Sequence, residues 1–467
     1  MRRPILANLG FLLQIAGLLT VVPIAVGLYF NETQHLASLF ITCITFLACG
    51  FLLNALCERK ELDFKSASVL VLATFIILPL IGAIPYVYDD PFKSPNLTDR
   101  FTNSYFESVS GFTTTGFSLV QNSDTLAKSM LLYRSLTELM GGVGIVFLLF
   151  AFFHTRKSLN NLGNALGIET IGTNVKRVFL AVFAIYGIFI LAFMAIFYFL
   201  GFQDLVRTGS FVIDTITGGF QPSIPQFQQY LNILPKICII ILMLLGSVNF
   251  AFNYHMFTLR IKKAFSKEVG LYLLIITIGT SLVFFLTKIE PLDSLFHVVS
   301  MTSSTGYDYV NIASLNETVK SIFIVLMLIG GCAFSMAGGI RVSRLIAFAT
   351  SIKQAIRGVL IKEKVIKEKN RKSETNNIDS LSALVSILLF VSTLVVFSII
   401  FSTIGVSFTD ALFEVGSALT TNGISMGATT VSMPLFYKWL LTTVMIIGRV
   451  EIMSILIALS RYGAEET

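Results

Sequence analysis

Thr114-Thr115-Gly116-Phe117 has three counterparts further along the chain: Thr217-Gly218-Gly219-Phe220, Ser304-Thr305-Gly306-Tyr307 and Thr421-Asn422-Gly423-Ile424. Each follows a modestly apolar stretch too short for the roughly 20 residues that a bilayer crossing needs, and each stretch lies between two segments that are long enough. A glycine after Thr or Ser is a common turn and means little once. Four copies in the same place relative to flanking apolar segments form an internal repeat, and the repeat governs the reading of everything around it.

The solvent of this chain is mostly lipid. Of 467 residues, 54% are hydrophobic and 13% charged, with a mean hydropathy of +0.79; a soluble domain carries about 25% charged residues. Spanning helices are expected near 7–29, 36–56, 67–88, 126–153, 176–200, 232–257, 268–287, 319–350, 380–404 and 433–460. The four short stretches fall between the third and fourth, fifth and sixth, seventh and eighth, and ninth and tenth spans. The expected fold is an all-α polytopic membrane protein with ten transmembrane helices and four re-entrant loops in a fourfold repeat. In residue terms, 1–60 holds two additional N-terminal helices, 61–160, 161–262, 263–360 and 380–467 hold the four repeats, and 361–379 is a linker. The N-terminal apolar run lacks a small-residue cleavage site before Asn31, so it reads as a retained helix.

Charge placement sets the expected topology. With the N-terminus inside, most of the 34 Lys and Arg fall in cytoplasmic loops and helix ends, as the positive-inside rule requires. Both termini are then cytoplasmic and all four glycine loops lie outside. The net charge of +7 is thus a topology signal and implies no nucleic-acid partner. Segment 361–379, dense in Lys and Glu, reads either as a solvated linker or as a docking surface for a soluble regulator. The five cysteines (Cys43, Cys49, Cys57, Cys238, Cys332) show no CxxC and read as packing residues. Histidines 35, 154, 255 and 297 are scattered, without HExxH, GxSxG or a P-loop, so neither an enzyme nor a nucleotide site is expected.

Irregular backbone at membrane depth survives only where it is buried in protein or lines a watery cavity. If four such loops converge, their carbonyls can replace the water shell of a monovalent cation. Glycine suits this because it takes positive φ without penalty, and Thr and Ser hydroxyls can tie the loop to the helix behind it. The four phrases contain no Asp, Glu, Lys or Arg, which argues against a divalent-cation or anion site. Glu107, Asp214 and Glu414 lie earlier in the short stretches, and Asp308 just beyond the third phrase. For Glu107 and Glu414 the choice is between hydrogen bonding behind the loop and a cation-attracting vestibule.

Two other features bear on function. Gly330, Gly331, Gly338 and Gly339 interrupt the eighth span, and glycine costs about 1 kcal/mol per helical position relative to Ala; the helix is expected to break there, with close helix packing as the alternative. Arg449 falls within a span, where a charge costs at least ~2.5 kcal/mol. It is expected to face the pore or a carboxylate, with Glu138 as a possible partner and Glu451 on another helix face. A competing class is an inverted-repeat secondary transporter of a small solute, which requires inverted halves and paired broken spans. The units here repeat in one orientation, and one spanning helix is expected to be broken.

Together these motifs, with Leu139-Met140-Gly141-Gly142-Val143-Gly144-Ile145, Gly246-Ser247-Val248-Asn249-Phe250-Ala251-Phe252-Asn253-Tyr254-His255, the stretch 330–339 and Gly448-Arg449-Val450-Glu451, resemble the membrane subunit of Trk-type bacterial potassium uptake systems in the Trk/Ktr/HKT superfamily. The two extra N-terminal spans are similar to the TrkH/TrkG type more than to the shorter Ktr type. The resemblance implies a pseudo-fourfold pore like that of potassium channels. It implies K+ held by carbonyls of Thr114, Thr115, Gly116, Thr217, Gly218, Gly219, Ser304, Thr305, Gly306, Thr421, Asn422 and Gly423. Gly219 is aligned with the other filter glycines because an aromatic residue follows it, and the fourth loop departs most. The resemblance further implies a gating loop at Gly330, Gly331, Gly338 and Gly339 with Arg449 beside it as a positive barrier, a homodimer, a TrkA-like cytosolic ring of nucleotide-binding RCK domains, and residence in the bacterial cytoplasmic membrane. K+ is the transported ion and no organic cofactor is implied; channel-like and coupled flux both stay open.

Overall fold

From residue 64 onward, long apolar helices alternate with short buried ones among the described residues. The computed structural model describes residues 2–57, 62–120, 122–152, 175–222, 228, 232–310, 312–360 and 370–460, and among them the regular structure is helical. Of the linker expected at 361–379, residues 361–369 lie outside the described residues and 370–379 are helical. Helices α1 (Arg2–Tyr29) and α2 (Thr33–Leu56) pack on each other as an antiparallel pair beside the rest.

The remaining helices fall into four units of the same design. Unit 1 has α3 (Phe64–Gly82) with its short extension α4 (Ile84–Asp89), then the short α5 (Leu97–Phe112) and α6 (Lys128–Phe152). Unit 2 has α7 (Val175–Phe199), the short α8 (Leu205–Thr217), and α9 (Ile233–Ser247) followed by α10 (Phe250–Phe257). Unit 3 has α11 (Lys267–Thr287), the short α12 (Pro291–Ser303), α13 (Glu317–Ile329) and α14 (Val342–Leu360). Unit 4 has α15 (Asn370–Ser402), the short α16 (Phe408–Leu419), and α17 (Leu435–Val450) followed by α18 (Ile452–Leu459). Local chemistry starts the short helices: the side chains of Asn96, Asp204 and Ser407 each accept a hydrogen bond from the amide three residues on.

Burial separates two kinds of helix. In α5 every residue from 102 to 112 is buried, and α8, α12 and α16 are covered almost as fully; a helix covered on all faces belongs in the interior. The first helices of the units instead present Leu191, Phe285 and Leu388 outward. Such surfaces suit lipid, which cannot satisfy backbone polar groups but accepts apolar side chains. Among the described residues, six helices are long and apolar enough to cross a membrane, and two bent pairs pass as broken spans.

The units close into a ring. The second helix of each unit packs on the short helix of the next: α6 on α8, α9 on α12, α13 on α16, and α17 back on α5. A lysine from each of these second helices reinforces the same contact. Lys128 Nζ lies 2.8 Å from the Asp204 carboxylate, Lys236 bonds Asp293, and Lys320 lies 3.0 Å from Asp410. Lys438 closes the circuit on Asn103 Oδ1 at 2.7 Å, a neutral acceptor where the other three meet acids.

One expectation is corrected here. The eighth span breaks as expected, with residues 330–341 non-helical between α13 and α14, but it is not the only broken span. The axis bends by 114° between α9 and α10 and by 92° between α17 and α18. The first bend follows from Asn249, extended at φ −64° and ψ 149°, whose side chain accepts from Phe252 N at 2.8 Å and restarts the helix. The second falls at Glu451, held at φ 68° while its carboxylate takes both Arg341 and Arg344.

Candidate functional site

The four glycine phrases meet at the C-terminal ends of α5, α8, α12 and α16. Three share one backbone pattern, a left-handed residue two positions before a left-handed glycine: Thr114 (φ 55°) with Gly116 (81°), Ser304 (58°) with Gly306 (73°), and Thr421 (52°) with Gly423 (82°). Positive φ strains any residue with a Cβ, so the pattern marks tight backbone turning.

Close approach then explains the glycines. A Cβ on Gly116 would stand 2.4 Å from the carbonyl carbon of Gly219, one on Gly218 2.4 Å from the Ser304 oxygen, one on Gly306 1.7 Å from the Asn422 oxygen, and one on Gly423 1.9 Å from the Thr115 oxygen. Loop 1 thus abuts loop 2, loop 2 abuts loop 3, loop 3 abuts loop 4 and loop 4 abuts loop 1. The ring has the same sense as the helix packing.

Loop 2 departs from this pattern: the left-handed glycine is one position before Gly219, which spacing from the aromatic residue aligns with Gly116. In loop 2 the left-handed glycine that abuts the next loop is Gly218, at φ 80°. Gly219 is a glycine for another reason: a Cβ there would lie 1.9 Å from Oε2 of Glu138. Glu138 comes from α6 of unit 1, and its Oε1 accepts from Phe220 N at 2.8 Å. It is therefore not the partner of Arg449 but a brace behind loop 2.

Taking Phe117, Phe220, Tyr307 and Ile424 as equivalent places, the residues ten positions earlier are Glu107, Ser210, His297 and Glu414, and the residues one position later are Ser118, Gln221, Asp308 and Ser425. Loops 1 and 4 are braced alike. Glu107 accepts from Ser118 Oγ (2.9 Å) and Leu119 N (2.8 Å), and Glu414 from Ser425 Oγ (2.6 Å) and Met426 N (2.8 Å). Both carboxylates thus hydrogen-bond behind the loop, as one of the two readings required. Arg134 of α6 bonds Glu107 at 2.6 Å, and its guanidinium stacks 3.9 Å from the Phe220 ring. Neither Arg134 nor the bracing Glu138 is evident from the phrases themselves; a charge well inside an apolar span is the signal that marks them.

Loops 2 and 3 lack that internal carboxylate and are fastened to each other. Gln221 accepts from Asp308 N at 3.1 Å while its amide donates to the Asp308 carbonyl oxygen. Gly219 N donates to Thr305 O at 3.3 Å. Burial pushes the Asp308 carboxyl up to about 6, opposed by the Gln221 amide. Across the third seam, Asn422 uses its side chain as a donor, to Met301 O at 2.8 Å.

Residues 330–341 cross behind the ring. Gly338 N donates to Ser304 Oγ at 3.0 Å, and a Cβ on Gly338 would meet the Thr420 oxygen at 2.3 Å. The stretch is fastened through Cys332 N to Ser247 O (2.9 Å), Met336 N to Gly246 O (3.1 Å) and Ala333 N to Glu268 Oε1 (2.7 Å). Gly330 packs on Gly338 and Gly339, and Gly331 on Ala337 and Ser247. Arg449 is buried and donates to Met336 O (3.0 Å) and Gly141 O (3.2 Å). Its bonds go to carbonyls of the non-helical stretch and of α6, while Glu451, at the bend, is taken by Arg341 and Arg344.

The arrangement can surround a small cation with neutral oxygens at the negative ends of four helix dipoles. Among the described residues no group of three or more His, Cys, Asp or Glu is placed to hold a metal ion.

Comparison with known proteins agrees with this architecture. The TrkH family, described as cation transport protein, matches residues 35–462. The chain is 30% identical to the uncharacterized cation transporter MJ1485 of Methanocaldococcus jannaschii, over 97% of this chain and 94% of that one. It is 24% identical to the Trk system potassium uptake protein TrkH of Salmonella typhimurium, over 86% of each. The crystal structure of the potassium transporter TrkH from Vibrio parahaemolyticus superposes with a TM-score of 0.81 and 22% identity, covering 99% of both chains, which establishes the shared fold.

Proposed function

This chain belongs to the TrkH family of cation transport proteins, and we propose that it carries potassium across the cytoplasmic membrane through the ring of four glycine loops. The observation that supports this most is the cyclic close approach of the loops, each left-handed glycine lying against a carbonyl group of the next. In this reading the backbone oxygens of 114–116, 217–219, 304–306 and 421–423 are the ligands of K+, and the neutral lining selects a monovalent ion. The potassium uptake role in the names of its relatives, the Trk system proteins, supports the choice of ion. The single cyclic sense of all four units speaks against two inverted halves.

The non-helical stretch 330–341 is the gate in this proposal. It sits behind the ring, tied to it by Ser304, and Arg449 anchors it while placing a positive charge beside the ion path. The loops face outward and both termini lie in the cytoplasm, by the distribution of Lys and Arg. A second copy of the chain and a cytosolic nucleotide-binding ring complete the proposed assembly.

Flux into liposomes tests the reading. Purified protein is expected to pass K+ and Rb+ in preference to Na+, and Gly116→Asp or Gly306→Asp to abolish the flux while the protein still inserts. Unchanged K+ flux in both variants refutes it.

A further inference from the structure

The four loops are not braced in the same way, and the difference falls on one seam. Loops 1 and 4 are each held from within their own unit by a buried glutamate, Glu107 or Glu414. At the equivalent places in units 2 and 3 stand Ser210, whose buried hydroxyl makes no hydrogen bond among the described residues, and His297, whose Nδ1 turns back to Asp293 O at 2.8 Å. Among the described residues, no carboxylate from these short helices reaches the residue that follows Phe220 or Tyr307 in the way that Glu107 reaches Ser118. Instead Gln221 and Asp308, which occupy those following positions, bond each other in both directions across the seam.

Resting on the potassium reading above, we propose that Gln221 is a specificity-determining positioning residue, whose amide fixes the spacing of loops 2 and 3 and so the discrimination of K+ against Na+. The physical link is ring size. Na+ is the smaller ion, and carbonyl oxygens can coordinate it closely only if the ring contracts. Loops 1 and 4 resist contraction through their carboxylates. At the seam of loops 2 and 3 the reciprocal bonds take that part, with the Gly219 to Thr305 bond beneath them. A glutamine is suited to the task because one planar amide offers a donor and an acceptor side by side, matching the N–H and C=O of a single residue. Two ordinary hydrogen bonds are lost when it is replaced by an apolar side chain of similar size, enough for roughly a tenfold change in ion preference.

The test is competitive Rb+ and Na+ flux in liposomes containing the full chain. Gln221→Leu is expected to lower the Rb+ to Na+ flux ratio about tenfold while Rb+ flux alone falls far less. Asp308→Asn retains both backbone groups of the clamp and is expected to keep the ratio. A wild-type ratio in Gln221→Leu overturns the proposal, and so does an equal loss in Asp308→Asn, which would assign selectivity to the carboxylate charge. Should Gln221→Leu not insert, Gln221→Glu retains the acceptor but loses the donor and is expected to lower the ratio; an unchanged ratio there also overturns it. If the wild-type protein itself shows no preference for Rb+, the potassium reading fails instead, so the two failures are distinguishable.

Discussion

Replacing Gly306 by alanine and, in parallel, Gly427 by alanine separates the cost of backbone strain from the cost of disturbing the ring. Both glycines hold positive φ, 73° and 97°, so each substitution brings the same kind of penalty, about 1–2 kcal/mol for an L-residue in the left-handed region. Their surroundings differ completely. A Cβ at Gly427 would have no heavy atom within 4 Å, whereas one at Gly306 would stand 1.7 Å from the Asn422 carbonyl oxygen. Carbon and oxygen do not approach closer than about 3 Å, so loops 3 and 4 must part by more than 1 Å at a place where both are packed on every side. Carbonyls displaced that far no longer match a dehydrated K+ ion. Rb+ uptake into liposomes, normalised to inserted protein, is expected to fall at least about tenfold for Gly306→Ala and by less than about twofold for Gly427→Ala; a misplacement near 1 Å typically costs a functional site far more than strain does. Equal uptake by the two variants would refute the claim that the ring spacing carries the function.

Three other outcomes are expected. Arg449→Ala removes two charge-assisted bonds that hold the non-helical stretch, each worth about 1.5–3 kcal/mol, and should raise Rb+ flux; lower flux at equal protein amount would take Arg449 out of the gate. Glu107→Gln leaves Arg134 buried without its carboxylate and should destabilise the protein by about 3–5 kcal/mol, read as a drop in the thermal unfolding midpoint in detergent; a midpoint unchanged from wild type would show that the pair is dispensable. Asp410→Ala leaves Lys320 with only the more exposed Glu317, so the seam between units 3 and 4 should weaken by about 1.5–3 kcal/mol, measured in the same way; wild-type stability would count against the lysine circuit.

Much of the architecture is legible in the chain because it is local. Apolar length marks the spans, the recurrence of the glycine phrases marks the repeat, and four glycines within ten residues mark the break at 330–339. The absence of Asp, Glu, Lys and Arg from the phrases is likewise read without any coordinates. These properties depend on a residue and its near neighbours, which is the range over which helix propensity and hydropathy act.

Tertiary structure alone decided how the four phrases meet. By spacing from the aromatic residue Gly219 matches Gly116, yet Gly218 holds the left-handed turn, because Glu138 from the preceding unit fills the space beside Gly219. The partner of Arg449 could not be read from its own helix, since both acceptors are carbonyls brought there by other units. The bend at Glu451, the circuit of Lys128, Lys236, Lys320 and Lys438, and the clamp of Gln221 on Asp308 have the same origin. Each depends on atoms that lie far apart along the chain and within about 3 Å in space, where steric exclusion and hydrogen-bond geometry act through distance and not through sequence separation.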